Sequence, residues 1–142
     1  MLGMAHELPR TVQTILIGAA HLIKARGWCR GTLLDERGAI CLLGAIFEAG
    51  MRKSAALFWG DHCECDALTI KAWETVERLI NDRDGRHDGG WLTIPGWNDL
   101  PSRTTDEVLQ VLDDAAAVAS FDGVLDCLAV DNAFGSTTLP AA

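Results

Sequence analysis

Ala39-Ile40-Cys41-Leu42-Leu43-Gly44-Ala45-Ile46-Phe47 is the stretch on which the fold turns. Nine apolar residues in a row are too few to cross a bilayer, which needs about 20. They show no clear period, so a buried helix and a buried strand both remain open for them. Dividing the run fits its flanks best. Residues 39–41 then form a short strand, and a helix from about Leu42 to Ala49 is closed by Gly50.

Working upstream, residues 28–34 and 39–41 flank the turn Asp35-Glu36-Arg37-Gly38. A short loop ending in glycine between apolar flanks predicts a β-hairpin. Before it, Val12, Ile15, Leu16, Ala19, Leu22 and Ile23 recur at helical spacing. They predict an amphipathic helix over 9–25, with Pro9 in its first turn and Gly27 at its end.

Downstream, Asp66 is placed to cap a helix through Asn81, with Ile70, Trp73, Val76 and Ile80 on one face. Residues 81–103 read as a long polar, glycine-rich connector. Loops of that length in compact domains are usually functional or mobile. Thr104-Thr105-Asp106-Glu107 is a capping box opening a helix to about Ala119. Past Phe121 the pattern weakens, and the last residues, 135–142, read as a loose tail. The expected fold is one mainly α domain over 1–142, with four to five helices around one core and a short β-hairpin. An α+β arrangement is the alternative.

With 142 residues, 49% of them hydrophobic, the chain can bury enough apolar surface to fold without staples. The net charge of −8 argues against direct binding to a phosphate backbone. It is unevenly spread: residues 1–53 hold seven basic and four acidic residues, residues 54–142 five and sixteen. After Arg103 there is no basic residue at all. The N-terminus lacks the layout of a signal peptide, and five cysteines are an odd number, so the thiols are expected to be reduced and the protein cytoplasmic. No membrane association is expected.

Several groups could carry chemistry. His62, Cys63 and Cys65 offer three ligands in four residues, but the C-x-C lacks the spacing and the second pair of a zinc site. No cofactor is expected, with zinc the weak exception. The acidic turn at 82–88 has His87 and Thr93 where a calcium loop needs glycine and glutamate, so it reads as a solvated turn. Cys29 and Cys41 flank the hairpin and could serve as nucleophiles if a base lowered their pKa. Buried cysteines more often act as small hydrophobes. Trp28, Trp59, Trp91 and Trp97 fall in hairpin or loop positions and only Trp73 on a helical face. Loop tryptophans can anchor a connector to the core or serve as interface hot spots.

Gly27-Trp28-Cys29, Cys41-Leu42-Leu43-Gly44-Ala45, Trp97-Asn98-Asp99 and Thr105 to Val108-Leu109 form an ordered set. Over about 11–116 the set resembles a family of small uncharacterised proteins of actinobacteria and their phages. Its members often carry two adjacent cysteines where this chain has Ile40-Cys41. The resemblance implies no reaction, but it does imply that Trp28, Cys29, Cys41, Gly44, Trp97, Asn98 and Asp99 belong together. They could line a pocket, with Asp99 as acid/base or ligand and Asn98 as a polar contact. Alternatively they are architectural, Trp97 plugging the core while Asn98 and Asp99 bond backbone groups.

The leading expectation is a protein-interaction module, a phage- or element-borne modulator of a host protein. The rival is a small enzyme or ligand-binding domain with a pocket formed by the Trp28-Cys29 hairpin and the Trp97-Asn98-Asp99 loop. A decoy imitating nucleic acid is disfavoured, because helix 105–119 carries too few carboxylates on one face.

Overall fold

The computed structural model describes residues 10–57, 65–84 and 93–135, with side chains described as far as 121. Among these residues there are five α-helices, one short 3-10 turn and no strand.

Helix α1 (Val12–Arg26) starts at a threonine pair: Thr11 caps it by accepting from the Thr14 N–H at 3.1 Å, and the Thr14 hydroxyl accepts from the Thr11 N–H at 2.9 Å. These reciprocal bonds satisfy the orphan donors and set the start at Val12, three residues after Pro9, which lies outside the described residues. Gly27 ends the helix with φ 91° and donates to Ile23 O at 2.8 Å.

Helix α2 (Leu42–Met51) answers the question raised by the apolar run. Seven of its ten residues are buried: Leu42, Leu43, Gly44, Ala45, Ile46, Phe47 and Gly50. A helix covered on nearly every side needs apolar residues on nearly every side, and this removes the period. Cys41 caps it, its Sγ accepting from the Gly44 N–H at 3.3 Å. Gly44 is dictated by closeness, since a Cβ there would lie 2.9 Å from the Leu33 carbonyl oxygen.

The expected hairpin does not form. Ile40 instead sits between two isolated bridges, parallel to Trp28 and antiparallel to Leu34. Its N–H donates to Gly27 O at 2.9 Å and its carbonyl accepts from Cys29 N at 3.2 Å, while Cys41 N donates to Leu33 O at 3.0 Å. The physical reason is lack of length. Cys41 is already the cap of α2, and Asp35 curls the other side by accepting from the Arg37 and Ala39 N–H groups at 2.9 Å each.

Helix α3 (Ala67–Asp84) is capped as expected, Asp66 Oδ1 accepting from Thr69 N at 2.9 Å. Arg10 fastens this end to α2: it donates to Gly50 O at 3.1 and 2.6 Å, to Thr69 Oγ1 at 3.1 Å, and pairs with Asp66 at 2.5 Å. The Arg10 hydrogen bond holds the Asp66 carboxyl down to about 2.

The 81–103 connector is corrected in part, because α3 runs on to Asp84 and 93–98 form α4 (Thr93–Asn98). Pro95 is tolerated there because the N–H groups of a first turn have no helical partner. Thr93, Ile94, Trp97 and Asn98 are buried, so Trp97 is a helix residue and not a loop anchor. Trp59 and Trp91 lie outside the described residues. Helix α5 (Thr105–Gly135) opens on the expected capping box, Glu107 N donating to Thr104 Oγ1 at 3.2 Å and Thr104 N to Glu107 Oε1 at 2.9 Å. Its main chain stays helical past Ala119 to Gly135, and the tail at 136–142 lies outside the described residues.

The helices share one apolar cluster. Leu16 and Ile23 from α1, Leu42 and Ile46 from α2, Ile80 from α3 and Leu112 from α5 are fully enclosed. Each such side chain contributes roughly 1.5–3 kcal/mol. Among the described residues no helix is long and apolar enough to cross a membrane.

Candidate functional site

Because Ile40 holds the 27–41 segment between Gly27 and Leu34, the Trp28-Cys29 backbone lies against the start of α2. The last turn of α4 meets it there. Asn98, only 1% exposed, is the centre of the junction.

Its amide is fully used. Oδ1 accepts from the Trp28 indole Nε1 at 2.7 Å and from Leu42 N at 3.0 Å. Nδ2 donates to Cys29 O at 3.1 Å and to Asp99 Oδ1 at 2.9 Å. Both incoming groups can only donate, which fixes the oxygen on that side of the amide. Leu42 N belongs to the first turn of α2, where no intrahelical acceptor exists. One side chain from α4 thus satisfies the entry to α2, the indole and the Cys29 carbonyl together.

Asp99 is exposed and completes the junction from outside. Its Oδ1 accepts from Gly31 N at 2.9 Å as well as from Asn98. Gly31 has φ 77°, a left-handed conformation that costs glycine little. The arrangement holds a loop in place, and its polar groups point at one another.

Two arginines that sequence reasoning passed over lock the same corner. The Arg30 guanidinium lies over the Trp28 ring at 4.7 Å and donates to the carbonyls of Pro101, at 3.2 Å, and Arg103. Arg103 stacks on Trp97 at 3.7 Å and donates to Trp97 O at 3.0 Å. Asp84 and Glu107 stand 3.5 Å from it. The only available signals were the positions of Arg30, two residues after Trp28, and Arg103, just before the capping box. Neither spacing distinguishes an anchor from a solvated charge.

Cys29 and Cys41 are both buried free thiols. Cys29 Sγ donates to Thr32 O and Ala39 O at 3.4 Å each. Burial pushes its pKa up to about 11, with the Asp35 carboxylate adding to the rise. Burial takes Cys41 up to about 12. A nucleophile needs the opposite shift. His21, the one described histidine, is exposed on α1. Iodoacetamide at pH 7.5 should therefore leave Cys29 and Cys41 unmodified in the folded protein, and label both once urea unfolds it. Peptide mapping showing equal labelling in the two states would contradict this.

Of the weak zinc candidates, His62 and Cys63 lie outside the described residues and Cys65 is half-buried before α3. Among the described residues no three of His, Cys, Asp or Glu form a metal-binding group.

No curated protein and no solved structure matches the chain. A family pattern does, over residues 7–118, which takes in Trp28, Cys29, Cys41, Gly44, Trp97, Asn98 and Asp99. With that share of its length covered, the chain belongs to the family of unknown function DUF6197.

Proposed function

We propose that this protein is an interaction module that binds another protein in the cytoplasm, without catalysis and without contacting nucleic acid. The resemblance to small actinobacterial and phage-encoded proteins supports a modulator of a host protein as its role. The observation that carries the reading is on α5. Val118 is 39% and Phe121 63% exposed, one turn apart, on a helix with Asp106 and Glu107 in its first turn and no basic residue anywhere. An aromatic left in water on an acidic helix suits a partner surface that is apolar at its centre and basic at its rim. The rival pocket at Trp28, Asn98 and Asp99 loses support, because the groups it needs already bond one another.

Phe121→Ser tests the reading. The side chain is exposed, so stability should change by less than about 0.5 kcal/mol. Loss of a hot spot costs about 2 kcal/mol or more, roughly thirtyfold in Kd. Tagged wild type and variant are expressed in host cells, captured alike and compared by quantitative mass spectrometry. One protein should be enriched with wild type and lost with Phe121→Ser at unchanged Tm. Equal recovery with both chains, or no enriched protein with either, contradicts the proposal.

A further inference from the structure

We draw no further inference here: the strongest candidate, the buried side-chain oxygens of Glu77 and Asn81 on α3 and of Thr93 at the start of α4, which meet no hydrogen-bond partner among the described residues, carries nothing, because no contact in the structure gathers the three around one point and the one sign of chemistry there is the upward pKa shift that burial gives Glu77.

Discussion

Asn98→Ala will cost about 3–5 kcal/mol of stability, a large part of the roughly 5–15 kcal/mol that holds a domain folded. The truncation leaves the Leu42 N–H, the Cys29 carbonyl and the Trp28 indole N–H without the partner they share. Each buried polar group left unpaired costs about 1–3 kcal/mol. The indole lies toward the low end, because Trp28 is half-buried and water can reach it. Asn98→Asp separates this account from a simple volume effect. It keeps the size and the accepting oxygen but removes both donated bonds, and it sets a second carboxylate against Asp99 Oδ1, now 2.9 Å from the amide. It should be at least as damaging as Asn98→Ala. Urea unfolding followed by far-UV circular dichroism measures both. A loss under about 1 kcal/mol in either variant would contradict the assigned role.

The second large effect is expected at the crossing of α2 and α3. A Cβ on Gly50 would stand 2.3 Å from Thr69 Oγ1, 2.8 Å from its Cγ2 and 2.9 Å from its Cβ. Alanine inside a helix normally gains about 0.5–1 kcal/mol over glycine. Here overpacking, typically 1–3 kcal/mol, outweighs that gain. The Gly50 carbonyl is also the acceptor for both Arg10 bonds, so pushing the helices apart loosens Arg10, Thr69 and Asp66 together. Gly50→Ala should destabilise by about 2 kcal/mol. Thr69→Ala in the same chain removes two of the three colliding atoms. The double variant should therefore be more stable than the two single losses added together, with a coupling of about 1–2 kcal/mol. Additive losses would show that α2 and α3 are not held at this distance.

What the sequence made readable was local chemistry with its partners a few residues away. The Thr104 and Glu107 box, the Asp66 cap and the Gly27 stop each depend on neighbours within four positions, and each is found where expected. Within the apolar run at 39–47 the helix starts at Leu42 as expected, but 39–41 form no strand and Gly50 lies inside α2 instead of closing it; the lack of period follows from α2 being covered nearly all round. The hairpin reading fails at Ile40 because both ends of the 28–34 stretch, at Trp28 and at Leu34, pair with that one residue and leave no room for a ladder. Helix α4 was hidden by Pro95 and Gly96, which punctuate loops more often than they open helices.

The site divides in the same way. The grouping of Trp28, Cys29, Cys41, Gly44 and Trp97-Asn98-Asp99 was legible as an ordered pattern, and the structure brings Trp28, Cys29, Asn98 and Asp99 into one hydrogen-bonded junction. Cys41 and Gly44 act a turn away, as cap and close-contact residue of α2. Their architectural meaning could not be read from spacing, since 70 residues separate Trp28 from Asn98.

The central claim is that Asn98 is a structural junction, with its four bonds made in the resting protein. Hydrogen exchange at the Trp28 indole N–H and the Leu42 amide measures it most directly. Both protons are held by the same buried oxygen, at 2.7 and 3.0 Å. They should be strongly protected and exchange together, with an opening free energy close to that of global unfolding. Fast exchange of the indole, at the rate of an exposed tryptophan while core amides stay protected, would show that the junction is open and would contradict the account.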